Sequence, residues 1–153
     1  MTPHRPLRGA LLAVLLVLAA TAARGETAWD QARVTSLSKS LVGAVDDLYD
    51  AFFKQPRVVT TPSAIRNYDR LKREIRHIKQ VARGLHGDLQ RGEGREDTQK
   101  AYESLVSSVN WARERARSVF TTQDVNAKAD VARQTLEEIG KYYEPVELVP
   151  VQE

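Results

Sequence analysis

The sequence predicts an all-α protein, an up-down-up-down antiparallel four-helix bundle preceded by a cleavable signal peptide. Three observations lead to this prediction. An apolar leader opens the chain, four long segments repeat apolar residues at spacings of three and four, and short turns rich in proline or glycine separate them. This spacing is typical of amphipathic helices, whereas a half-buried strand would alternate with a period of two.

The leader, residues 1–25, has the layout of a secretory signal peptide. Arg5 and Arg8 form a basic start, an uninterrupted apolar run covers residues 10–20, and small residues follow. The apolar run is shorter than the ~20 residues that cross a bilayer as a helix. We therefore expect export to the periplasm or the cell exterior, with no transmembrane segment after cleavage.

The cleavage site is predicted from the small residues that end the leader. Ala23 and Gly25 fit the small-x-small pattern that precedes such sites, so we expect the cut before Glu26. Cleavage after Ala22 or after Ala23 is the alternative, as is retention of the leader as a membrane anchor.

The first two helices are bounded by proline. The first is predicted over about residues 27–55 and ends before Pro56. The second is predicted over about residues 62–91, where the apolar pattern is most regular. Thr61 offers a capping hydroxyl there, and Pro62 suits the first helical position.

The last two helices follow a glycine turn and a polar turn. The third is predicted over about residues 95–120, with Glu96 and Asp97 in its first turn, where acidic side chains favour the helix dipole. The fourth is predicted over about residues 122–143, and residues 121–124 before it resemble a capping box.

Short connections make sequential helices antiparallel, which predicts one bundle domain over residues 26–145. Residues 146–153 follow Pro145 and are predicted to be an extended tail, either frayed or docked on the bundle or a partner.

Alanine permits close helix approach, so we expect little room for a cofactor inside the bundle. The interior alanines are Ala44, Ala82, Ala112, Ala116, Ala129 and Ala132. The aromatic residues predicted at the two ends are Phe52, Phe53, Tyr68 and Phe120 at one, and Trp29, Tyr102, Tyr142 and Tyr143 at the other.

The charge balance argues against a nucleic-acid partner. The 153 residues include 23 basic and 20 acidic ones, and Arg5, Arg8 and Arg24 in the leader supply the whole excess. The mature chain would thus hold 20 of each kind, so its overall charge gives no attraction to phosphate backbones.

The composition also argues against a cofactor or metal. The chain has no cysteine, and its one methionine is the initiator, which removes the usual haem attachments and thiolate sites. Glu74 and His77 match the Glu-x-x-His spacing of di-iron bundles, but no second copy exists and Ile75 takes the inward position between them. No serine has a positioned base, so we expect no enzymatic activity.

The second helix concentrates positive charge. Residues 62–91 contain eight basic and three acidic residues, a local net charge of +5, whereas residues 121–153 have a net charge of −4. The helical register places the arginines outward, where they suit anionic ligands or serve only as a solvated face. The candidate surface comprises Arg66, Arg70, Arg73, Arg76, Lys79 and Arg83.

One further residue is a candidate contact. The register places Trp111 outside the apolar stripe of the third helix. An exposed tryptophan is often a partner contact, although it can also lie flat over a neighbouring helix.

These observations predict an exported, non-enzymatic binding protein. Its expected partner is an anionic envelope polymer, a lipid headgroup or an acidic protein, bound by the basic face of the second helix. The alternatives are a carrier of a small ligand or metal in a bundle-core pocket, and a structural or oligomerising helical adaptor.

Overall fold

The computed structural model describes residues 27–145, which form four α-helices and contain no strand. The helices are α1 (Gln31–Lys54), α2 (Pro62–Gln90), α3 (Arg95–Ala116) and α4 (Gln123–Gly140). This confirms an all-helical fold with four helices. The predicted signal peptide, its cleavage site and the C-terminal tail lie outside the described residues.

Short polar side chains begin three of the helices. Asp30, Thr61 and Thr122 each accept a hydrogen bond from the backbone N–H three residues later, at 2.9, 3.1 and 3.3 Å. This satisfies one of the N–H groups that a helix leaves without a partner. The α4 cap is Thr122, one residue later than the predicted capping box would place it. At α3, Asp97 accepts instead from the N–H of Gly94 at 3.2 Å.

A glycine in the left-handed region ends α2. Gly92 has φ of 86°. Its N–H donates to Leu89 at 3.1 Å, and the N–H of Glu93 donates to Asp88 at 3.2 Å, which is the Schellman pattern. A residue with a Cβ would be strained there, so this glycine fixes the turn into α3.

Three helices are shorter than the sequence predicts. The first begins at Gln31 rather than near residue 27, because Asp30 caps it. The third ends at Ala116 rather than near residue 120, because bonds from residue i to i−3 tighten residues 117–119 into a turn. The fourth ends at Gly140 rather than near residue 143, because bonds from residue i to i−3 tighten residues 141–143 into a turn.

The helices pack in the spatial order α3–α2–α1–α4. Each neighbouring pair in that order packs closely, but α3 and α4 make almost no close backbone approach to each other. The buried core falls into two clusters, one towards each end of the bundle. The described chain is thus a four-helix bundle with one open seam.

Aromatic side chains close both ends, as predicted. At one end Phe52 stacks on Tyr68 with centroids 5.1 Å apart. At the other, Tyr143 stacks on Tyr102 at 4.3 Å and meets Trp29 edge-on at 5.4 Å. The predicted end residue Phe120 remains half exposed, since it lies on the turn beyond α3.

The core assignment predicts a sharp contrast on α2. Leu85 is 1% exposed, so Leu85→Asp should lower the free energy of unfolding by about 4 kcal/mol or more, because an unpaired charge would be buried. The matched change Gln80→Asp lies on the exposed face and should cost less than about 0.5 kcal/mol. Urea unfolding followed by circular dichroism measures both, and equal effects would contradict the register.

Candidate functional site

Half of the predicted basic face is available to a partner. Arg66, Arg70 and Arg73 are exposed on α2, and none forms an ion pair or hydrogen bond within residues 27–145. From Arg66 to Arg73 the helix rises about 10 Å. These three residues are called the outer arginines below.

The other half of the face contacts α1. Lys79 and Arg83 both pair with Asp46, at 3.0 and 2.8 Å. Arg76 is exposed, but its guanidinium lies 5.3 Å from the ring centre of Phe53. Sequence reasoning assigned these three to a partner surface, and the structure shows that each has a contact within the bundle.

Aromatic rings on α1 explain why these cations lie along the seam between α1 and α2. Tyr49 and Phe53 stack with centroids 4.1 Å apart. The ammonium of Lys79 lies 4.3 Å from the Tyr49 ring, and that of Lys72 lies 4.8 Å from the Phe53 ring. The long stems cover apolar surface while the charged groups reach water or a carboxylate.

The electrostatics of this seam centre on Asp46. Partial burial by itself raises the pKa of Asp46, but hydrogen bonds from Arg83 and Lys79, and their positive charges, outweigh it. The pKa of this carboxyl group therefore lies below its ordinary value. The ion pairs stabilise the docking of α2 on α1 and leave Lys79 and Arg83 partly neutralised.

Trp111 is exposed rather than flattened on a neighbouring helix. Its exposed fraction is 42%, and the guanidinium of Arg115, one turn later, lies 4.7 Å from its ring centre. This cation–π contact within α3 orients the ring and leaves part of it accessible. Of the two arrangements considered from the sequence, the structure shows the exposed one, and a role of Trp111 as a partner contact stays a prediction.

The two histidines outside the leader have structural surroundings. His77 is exposed, as expected for a surface residue. His86 is half-buried, and its Nδ1 lies 2.8 Å from the hydroxyl of the buried Ser38. The same hydroxyl lies 2.8 Å from the Thr35 carbonyl, so it links the histidine ring to the backbone of α1.

The open seam leads into a cavity that the sequence did not predict. Its volume is about 510 Å³, and all four helices line it. Leu41 and Phe52 of α1 and Ile75 of α2 belong to its floor. A smaller recess beside Tyr102 and Leu136 continues along the same seam. The cavity lies where the two core clusters meet.

Small side chains leave this space. Ala112 and Ala116 of α3, and Ala129 and Ala132 of α4, line the cavity. The sequence-based expectation that alanine would bring the helices together and leave little room for a ligand is wrong at this seam. Because α3 and α4 do not approach, alanine fails to fill the gap between them.

Hydrogen bonds hold both ends of the α3–α4 seam in place. At one end the Gln55 side chain accepts from the N–H of Thr122 at 3.1 Å and donates to the carbonyl of Phe120 at 3.4 Å. At the other, the hydroxyls of Tyr143 and Thr98 lie 2.8 Å apart. These ties fix the turn after α3 and the end of α4, and the seam opens between them.

Residues 27–145 show neither a membrane-spanning helix nor a metal-binding cluster. Across that range, each helix is too short or too polar to traverse a lipid bilayer. The same range contains no group of three or more histidine, cysteine or acidic side chains placed to hold a metal ion.

Comparison of the chain with protein-family models, curated proteins and solved structures finds no match.

The lowered pKa of Asp46 predicts an acid-dependent loss of stability. The folded pKa lies below the unfolded value of ~3.9, so the ion pairs contribute fully above about pH 4, and their contribution is lost as pH falls through the folded value. Asp46→Asn should lower the free energy of unfolding at pH 7 by about 0.4–2 kcal/mol, since two partly exposed pairs are lost.

The matched control is Asp50→Asn, because Asp50 is exposed on α1 and has one ion pair, with the exposed Lys54. Urea unfolding at pH 7 and below pH 3 compares the variants with the parent protein. A difference for Asp46→Asn that does not shrink in acid would contradict the assigned ion pairs.

Proposed function

We propose that this protein is an exported, non-enzymatic binding protein whose outer arginines contact an anionic component of the cell envelope. The observation that carries the proposal is the difference among the basic residues of α2. Lys79 and Arg83 have an internal carboxylate partner, whereas Arg66, Arg70 and Arg73 have no ion pair within the described residues.

The arrangement suits a repeated anion better than a single one. The outer arginines follow one another at spacings of four and three residues, so they lie on one side of α2 over about 10 Å. Guanidinium groups bind phosphate and carboxylate through two parallel hydrogen bonds. A surface bearing several phosphates or carboxylates could engage all three arginines together.

The expected interaction is weak at each contact and depends on salt. An exposed ion pair contributes about 0.2–1 kcal/mol, so measurable affinity requires several simultaneous contacts. Screening at physiological ionic strength acts over about 8 Å, and raising the salt concentration should release the protein.

The proposed export of the protein rests on its leader, residues 1–25, which we expect to be removed. We expect the intact mass of the protein recovered from outside the cytoplasm to match a chain that begins at Glu26. Recovery of the uncleaved chain from the membrane fraction would show that residues 1–25 are a retained anchor.

Charge reversal tests the basic face directly. Replacing Arg70 and Arg73 with Glu should abolish retention on phosphatidylglycerol vesicles and on an immobilised polyanion at low ionic strength. The thermal midpoint should stay within about 2 °C of the parent value, because both side chains are exposed and unpaired.

The matched control reverses Lys39 and Lys100, which are exposed on α1 and α3 and change the net charge equally. This control should keep most of the retention. Equal loss in both variants would show that overall charge, rather than the outer arginines, governs binding. No retention of the parent protein on either support would refute the proposal.

A further inference from the structure

The cavity beneath the open seam has the size and chemistry of a ligand site. Its volume of about 510 Å³ lies within the ~300–1,000 Å³ typical of small-molecule pockets. Its floor consists of leucine, isoleucine, valine and phenylalanine side chains from α1 and α2. Apolar walls of this kind favour an apolar occupant.

The floor of the cavity offers no polar partner, because the side chains of α1 and α2 that line it are all apolar. Among the described residues, the only buried side-chain atom without a hydrogen-bond partner is Oε1 of Gln99, and Gln99 does not line the cavity. A ligand with polar groups along its length would lose their hydration without compensation. The part of the ligand that lies against this floor is therefore expected to be hydrocarbon.

Polar side chains on α3 and α4 occur among the lining residues. Arg113 of α3 is exposed and has no ion pair within residues 27–145. Arg133 of α4 is neutralised, since it lies 3.7 Å from Asp130, a carboxylate that also lines the cavity, and 2.6 Å from Glu137. Arg113 is thus the uncompensated positive charge of the cavity lining.

A second hydrogen-bond donor belongs to the same lining. The side-chain oxygen of Asn126 accepts from the Thr121 hydroxyl at 2.8 Å, which orients the amide and leaves its NH₂ group without a partner in the described chain. Both unused groups, the Arg113 guanidinium and the Asn126 NH₂, are donors. They would match an acceptor, and the charge of Arg113 favours an anionic one.

We propose that this cavity binds a single-chain amphiphile with an anionic head, of the fatty-acid class. The hydrocarbon chain lies among the apolar side chains of the four helices, and the carboxylate lies at Arg113 on the open side. This site is separate from the outer arginines of α2, so its test is independent of the proposed envelope contact.

Titration calorimetry with octanoate, decanoate and dodecanoate tests the hydrocarbon part on the purified protein. One molecule should bind per chain, and each added methylene should tighten binding about fourfold until the cavity is filled, as expected for transfer of a CH₂ group from water. Absence of binding across the series would overturn the proposal.

A cavity-filling variant tests the location. Ala129 lines the cavity, so Ala129→Leu should reduce decanoate affinity at least tenfold. The matched change Ala127→Leu lies on the exposed side of the same helix and should leave affinity unchanged. Circular dichroism verifies that both variants fold. Unchanged binding to folded Ala129→Leu would place the ligand elsewhere.

A head-group comparison tests the charge. Arg113→Glu should weaken decanoate binding roughly threefold to tenfold and leave decanol binding unchanged, because a partly exposed ion pair becomes a repulsion. Arg73→Glu, the same charge change on the outer face of α2, should alter neither. Equal effects of Arg113→Glu on decanoate and decanol would overturn the anionic class even if the cavity binds both.

Two other occupants of the cavity, residues 146–153 and a second copy of the chain, would give different results in these experiments. Decanoate binding that occurs only after removal of residues 146–153 would assign the cavity to that segment and overturn the proposal. A dimer in sedimentation velocity that Ala129→Leu converts to a monomer would assign the cavity to a second copy of the chain, with the same consequence.

Discussion

The separation of α3 from α4 is the constraint on which the rest of this structure depends. One amide, that of Gln55, binds the turn after α3 to the end of α1 through the Thr122 N–H and the Phe120 carbonyl. At the far end a Cβ on Gly140 would lie 2.5 Å from the Tyr102 hydroxyl, so α3 and the end of α4 meet closely there because glycine occupies that position. Because both ends of the α3–α4 seam are held in place, its middle is closed only where side chains are large enough to fill the space between the two helices. Alanine cannot do this, and the charged Arg113 and Arg133 lie among the lining residues.

The opposite side of the bundle shows what a filled seam requires. Between α1 and α2, large rings and long cationic stems occupy the groove, and Asp46 supplies the countercharge for Lys79 and Arg83. Tyr49 and Phe53 give those stems an apolar surface to cover. The basic residues of α2 therefore form two groups that differ in their position on the helix. Those that flank α1 hold the bundle together, and those directed outward are left to solvent or a partner.

The difference between these two groups of basic residues shows how far the sequence could predict the site. Apolar spacing, capping residues and turn residues act within one helix or between chain neighbours, so they predicted four helices and placed Arg66, Arg70 and Arg73 outward. The partner of Lys79 and Arg83 lies on another helix, more than thirty residues earlier in the chain. A heptad register gives the direction of a side chain but not what the adjacent helix presents there. The cavity was missed for a related reason, because alanine permits close approach and also leaves space, and only the packing of α3 against α4 decides between them.

The two candidate sites face different directions, which decides whether they could operate together. The spatial order α3–α2–α1–α4 makes α2 and α4 diagonal neighbours, so the outer arginines point away from α4 and from the opening between α3 and α4. A bundle held by α2 on an anionic surface would therefore keep that opening towards solvent. Ligand entry would then not require release of the protein from the surface. Binding at the two sites is then expected to be thermodynamically independent unless a ligand forces α3 and α4 further apart.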